Sequence, residues 1–169
     1  DSGHAAGDEI AISLDIAASE FFRSGRYHLA LDAHDLDSDA LINLLITWVD
    51  RYPIVSVEDP LAEGDSKGMQ RFTAAAGDRI QVVGDDYLVT NTARVERAAA
   101  ERTCNTLLVK PNQAGTITET RAALDAAQRA GFGTIVSARS GETEDITIAH
   151  LAVGWRAGQL KVGSFSRSE

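Results

Sequence analysis

Cysteine is nearly missing from this chain of 169 residues: Cys104 stands alone, so no internal disulfide can form. Its neighbours Leu107, Leu108 and Val109 are apolar and no histidine lies close in sequence, which marks a buried, reduced thiol. Basic charge is also scarce. With 16 Lys and Arg against 25 Asp and Glu, the formal net charge is −9, and no local basic patch offsets it. A phosphate backbone would be repelled, which argues against a nucleic-acid partner. No apolar run reaches the roughly eighteen residues that span a bilayer, and Asp1 to Glu9 are polar and acidic where a signal peptide is basic and then apolar. The expectation is a soluble, intracellular protein with no membrane partner. The four histidines (His4, His28, His34 and His150) are scattered without ligand spacing, so a zinc site is not expected. Linkers and low-complexity tracts are missing too, which predicts one domain over residues 1–169.

What the chain does have is a rhythm of short Val- and Ile-rich runs, each followed by a polar turn and a helical stretch. The predicted strands are Glu9 to Asp15, Ile54 to Glu58, Ile80 to Asp85, Thr106 to Lys110, Gly133 to Ser137 and Leu160 to Gly163. Leu41, Leu44, Leu45, Trp48 and Val49 share one face of a helix, with Asp37 or Ser38 as N-cap and Pro53 closing the exit. Thr116 and Glu119 form a capping box opening a helix toward Arg129, which Gly131 ends. Further helices are predicted from Asn91 or Thr92 through Ala99, from Gly68 to Ala76, and from Thr143 to Val153. Alternating strands and helices specify an α/β fold with a parallel sheet. Only Ser19 to His34 breaks the rhythm, where Ser24-Gly25-Arg26 reads as the turn of an inserted hairpin.

Ligands of such folds bind beyond the carboxyl ends of the strands. There the chain places, in order, Asp15, Glu58, Asp85, Lys110, Arg139 and Lys161. Any one charge at a strand end can serve solubility alone, but three carboxylates followed by three cations is not a pattern that burying a sheet selects. Three convergent carboxylates repel one another and raise their own pKa values unless a cation sits among them, and hard oxygen ligands suit Mg²⁺. A lysine beside a metal and a second cation, Lys161, is disfavoured in its charged form, so Lys110 could act as a general base. Taking a proton from the carbon next to a carboxylate gives an enediolate, whose developing charge a divalent metal stabilises. Arg139 and Ser140, at a predicted helix start, suit a phosphate, although Glu142, Glu144 and Asp145 would weaken that site if they faced it; their ordinary role is to compensate the helix N-terminus.

Two other motifs fail. Asp35, Asp37 and Asp39 begin like a calcium loop, but Ala40 and Ile46 stand where it needs Gly and Glu. Gly131-Phe132-Gly133 begins like a dinucleotide fingerprint but precedes a strand.

The residues carrying this pattern resemble the C-terminal part of the enolase family. The matching stretches are LDIAASEFF (14 to 22), SVEDPLAEGD (56 to 65), GDDYLVTN (84 to 91), LLVKPNQAGTITET (107 to 120), SARSGETED (137 to 145) and KVGSFSRSE (161 to 169). The resemblance implies that Asp15, Glu58 and Asp85 hold Mg²⁺ and that Lys110 removes the C2 proton of 2-phosphoglycerate. It further implies that Arg139 and Ser140 hold the phosphate and that Lys161 contacts the carboxylate. The implied fold is the last six strands of an enolase-type (β/α)8 TIM-like barrel, an incomplete barrel in a fragment of a longer protein. A full barrel takes about 250 residues, so the first barrel elements, the smaller N-terminal domain and the glutamates that assist loss of hydroxide would lie outside this chain. The implied protein is a cytoplasmic, Mg²⁺-dependent lyase of glycolysis, a phosphopyruvate hydratase that acts on a small phosphorylated carboxylic acid and is a homo-oligomer when complete.

Three features depart from the family pattern. Ala138 stands where the family has a histidine near bound substrate, and Pro111 and Ala114 replace usual aliphatic residues. Ala138 keeps a second expectation open, an enolase-like enzyme acting on another phosphorylated or phosphonate carboxylic acid. A third is a noncatalytic, degenerate binding protein, against which the retained acids and Lys110 argue.

Overall fold

A computed structural model describes residues 3–31, 34–139 and 144–162. The fold is α/β, and its chain groups into two compact units, Asp1–Tyr87 with Glu101–Asn105, and Leu88–Ala100 with Thr106–Glu169.

The first unit opens with strand β1 (Ile12–Asp15) and a single 3-10 turn, Ala18–Phe21. An antiparallel sheet follows, built from β2 (Phe22–Arg23), β3 (Arg26–Leu29) and β4 (His34–Leu36). Ser24 and Gly25 both have positive φ, 51° and 81°, as a tight two-residue hairpin turn of this hand requires. The predicted hairpin is therefore present, and β4 extends it by a third strand. Then come helix α1 (Ser38–Arg51), β5 (Ile54–Glu58), α2 (Ser66–Ala76) and β6 (Gln81–Gly84). Strand β5 pairs in parallel with β1 on one side and β6 on the other.

Local chemistry explains the element boundaries. Asp37 caps α1 by accepting the Ala40 N–H at 2.9 Å, and Asp65 caps α2 by accepting the Gly68 N–H at 2.9 Å. A Cβ on Gly68 would come within 2.4 Å of the Asp65 carboxylate, so the cap needs that glycine. The buried face of α1 is Leu41, Ile42, Leu45 and Val49. Trp48, expected on that face, is 36% exposed, and Ile42 takes its share of the core. Tyr27 is fully buried under Phe21 and Phe22, and its hydroxyl donates to Asp65 and accepts the Ala62 N–H.

The second unit holds α3 (Thr92–Glu101, whose last residue belongs to the first unit), β7 (Thr106–Val109), a single turn α4 (Pro111–Ala114), α5 (Ile117–Arg129), β8 (Gly133–Ser137), α6 (Thr147–Gly154) and β9 (Gly158–Lys161). Strand β8 pairs in parallel with β7 and β9. Asn91 caps α3 by accepting the Arg94 N–H. At α5, Thr116 accepts the Glu119 N–H at 3.1 Å while its own hydroxyl donates to the Glu119 carboxylate at 2.7 Å. Helix α6 starts at Thr147, later than the predicted Thr143, where Asp145 accepts the Thr147 N–H.

Six strands thus alternate with helices, three in each unit, near the predicted places. Strand β1 starts at Ile12, later than the predicted Glu9, and β9 starts at Gly158, earlier than the predicted Leu160, the predicted end at Gly163 lying outside the described residues. Their burial is unequal. Strand β7 is buried throughout, whereas β1 and β9 are mostly exposed, as expected of strands with one paired neighbour among the described residues. Cys104 is buried, as expected. No helix among the described residues is long and apolar enough to cross a membrane.

Candidate active site at the strand ends

The first unit assembles its acids by strand register. Asp15 ends β1 and Glu58 ends β5, and the two are Cα partners across the parallel pair. Glu58 is in turn the partner of Val83 in β6, two residues before Asp85, so all three predicted carboxylates lie at one end of one sheet. Glu58 and Asp85 are buried at 5% and 7% exposure, while Asp15 is exposed.

Between them stands a residue that reading the strand ends alone passed over. Asp59 follows Glu58 with φ 42°, in the left-handed region that Asp tolerates better than most side chains. This kink turns its side chain toward the end of β6. Its Oδ1 accepts the Asp85 N–H at 3.0 Å, and its Oδ2 accepts the Asp86 N–H at 2.7 Å. Burial pushes the Asp59 carboxyl up to about 7; the two N–H groups pull it down, and the charges of Asp85 and Asp86 push it further up. Among the described residues, the three carboxyl groups whose oxygens lie within 4.8 Å of one another are Asp59, Asp85 and Asp86. Asp85 is common to this group and to the predicted ligands; Asp15 and Glu58 are not part of it. The signal that could have found Asp59 and Asp86 was the doubling of acids, Glu58-Asp59 and Asp85-Asp86, at two successive strand ends.

The donor set fits a hard divalent cation. It is made only of carboxylate oxygens, with Asp59 and Asp85 buried and Asp86 more open, and like charges gathered this closely favour a compensating positive charge.

The second unit gathers cations in the same way. Lys110, 8% exposed, follows β7, and its N–H donates to the Thr90 Oγ1 at 2.9 Å. The Thr90 hydroxyl donates to the Gln113 Oε1 at 2.7 Å. Thr90, also missed by inspecting strand ends, is buried and has φ 50°. Lys161 ends β9 as the Cα partner of Ser137, and its carbonyl accepts the Ala138 N–H. Arg139 follows β8 and is exposed. Ser140 lies outside the described residues, as does Glu142. Asp145 lies just before α6, where hydrogen bonds from Thr147 hold its carboxyl below the usual range.

Comparison with known families decides what this arrangement belongs to. A family model described as the enolase C-terminal TIM barrel domain matches residues 1–169. The chain belongs to that family. As an enolase-family barrel domain it carries the acids and cations at the strand ends where such barrels place their chemistry. The histidines remain outside this scheme: His28 pairs with Asp35 at 2.5 Å on the antiparallel sheet, and His4 lies 3.7 Å from Glu9.

Proposed function

We propose that the protein is an enolase-type lyase that reversibly dehydrates 2-phosphoglycerate to phosphoenolpyruvate. The observation that supports this most is the register of Asp15, Glu58 and Asp85 at one end of the first unit's sheet. Those three residues would hold Mg²⁺, with Asp59 and Asp86 close to Asp85. Bound there, Mg²⁺ would supply positive charge to the substrate carboxylate as negative charge develops on it. Lys110, buried and fixed through its backbone to Thr90, would take the C2 proton. Arg139 and Ser140 would hold the phosphate, where a planar guanidinium gives bidentate contact, and Lys161 would meet the carboxylate. The chain's acidity favours a small-molecule substrate over nucleic acid. The family resemblance extends the proposal to a cytoplasmic homo-oligomer.

Ala138 favours a second reading. A methyl group in the family's histidine position leaves room and removes a hydrogen-bonding group, which suits a relative acting on another phosphorylated or phosphonate carboxylic acid.

The test is turnover by the intact protein with Mg²⁺ over a panel of 2-phosphoglycerate and phosphonate analogues. Phosphoenolpyruvate formation that vanishes in Lys110→Ala supports the leading reading. Preference for a phosphonate replaces it with the second, and no turnover of any member together with no Mg²⁺ binding points to a noncatalytic protein.

A further inference from the structure

Asp59 connects three strand ends. Its N–H donates to the Val83 carbonyl of β6 at 2.9 Å, and its carbonyl accepts the Ala18 N–H, beyond β1, at 3.1 Å. Its carboxylate accepts the two successive N–H groups of Asp85 and Asp86. One residue therefore ties together the ends of β1, β5 and β6, the three strands that carry Asp15, Glu58 and Asp85. Both carboxylate oxygens accept from backbone donors.

We propose that Asp59 is a positioning residue for the metal site. Its carboxylate fixes the backbone of the Asp85-Asp86 turn, and its main chain fixes β1 and β6 against β5, so that Asp85 is presented in register with Glu58 and Asp15. The inference rests on reading those three as the Mg²⁺ ligands. Groups that orient metal ligands through hydrogen bonds commonly carry 10–100-fold in metal affinity, and Asp59 does so through the ligand's backbone.

The experiment compares the intact protein with Asp59→Asn and Asp59→Ala. Asn tolerates the left-handed backbone and keeps one acceptor, but turns an amide donor toward the second N–H; Ala removes both acceptors. Three quantities are read: the Mn²⁺ dissociation constant by paramagnetic resonance, amide hydrogen exchange at Asp85 and Asp86 without metal, and the thermal midpoint. The expected result is Mn²⁺ binding weakened about 10–100-fold, more in Ala than in Asn, with faster exchange at those two amides. Unchanged Mn²⁺ affinity overturns the proposal even if the midpoint falls, because a purely structural residue would give that result. Weakened affinity with unchanged amide exchange also overturns it, since Asp59 would then be a direct ligand. Absence of Mn²⁺ binding in the unsubstituted protein defeats the underlying metal reading instead, and shows before any variant is compared. If neither variant folds, exchange in the unsubstituted protein decides. Protected amides at Asp85 and Asp86, beyond the end of β6, support the clamp, and fast exchange there overturns it.

Discussion

In the first unit the Asp85-Asp86 turn is held by a buried carboxylate; in the second, the Lys110 backbone is held by a buried hydroxyl. Asp59 and Thr90 both have positive φ, both are buried, and both accept the backbone N–H of a chemistry-bearing residue. They differ in charge. Burial raises the Asp59 carboxyl to about 7, and the charges of Asp85 and Asp86 add to the shift, an unfavourable arrangement that a bound cation would relieve. Thr90 anchors the Lys110 backbone without adding charge of either sign. Under the proposed function, the first unit would offer a place for a cation and the second a platform for a base.

Separating metal binding from proton transfer breaks or sharpens that comparison most strongly. Lys110→Ala is expected to lower turnover by about 10²–10⁴-fold, the usual worth of a general base, with Mn²⁺ affinity unchanged. Asp85→Asn is expected to abolish Mn²⁺ binding and turnover together. Equal losses of metal affinity in both variants would erase the distinction between the units.

A smaller effect tests the hydroxyl anchor. Thr90→Val keeps the shape but leaves the Lys110 N–H without its acceptor, costing about 1–3 kcal/mol in denaturant unfolding. Metal affinity is expected to stay the same, and a loss of affinity comparable to that of Asp59→Ala would contradict the division of labour. Away from the strand ends, Thr116→Ala removes the α5 cap and is expected to cost about 1 kcal/mol with kcat unchanged.

The gentlest test lies in the first unit's antiparallel sheet. Burial pushes the Tyr27 phenol up to about 12 from 10.0; the Ala62 N–H opposes the shift, and Asp65 adds to it. The folded state therefore favours the protonated phenol. Its contribution to stability is complete below about pH 10 and lost as pH rises toward about 12. Between those values the unsubstituted protein should lose stability faster than Tyr27→Phe; parallel pH profiles would contradict the assignment.

Much of this was legible in the sequence because its signals are local. The limits of β5 and β8 follow from apolar runs ending in turn residues, and the caps at Asp37 and Thr116 from side chains that reach a backbone N–H three residues on. The hairpin at Ser24-Gly25 follows from φ values that few residue pairs adopt. Other features depend on contacts across the chain. Helix periodicity put Trp48 on the buried face, but the choice between it and Ile42 is made by what packs against α1. The start of α6 is hard to read because Asp145, which bonds Thr147 from outside the helix, resembles any acid of a first turn. Asp59 and Thr90 escaped notice because their roles rest on left-handed backbone and on partners 26 and 20 residues away. The strand-end rule names which residues face a site; it says nothing about what holds them there.

The central proposal is that Lys110 removes the C2 proton of 2-phosphoglycerate in a Mg²⁺-dependent step. It is tested most directly by following the C2 hydrogen of 2-phosphoglycerate in D₂O with the intact protein and Mg²⁺. The account predicts exchange of that hydrogen for deuterium, lost when Mg²⁺ is chelated and lost in Lys110→Ala. Exchange that persists in Lys110→Ala, or its absence from the unsubstituted protein with Mg²⁺ bound, would contradict it.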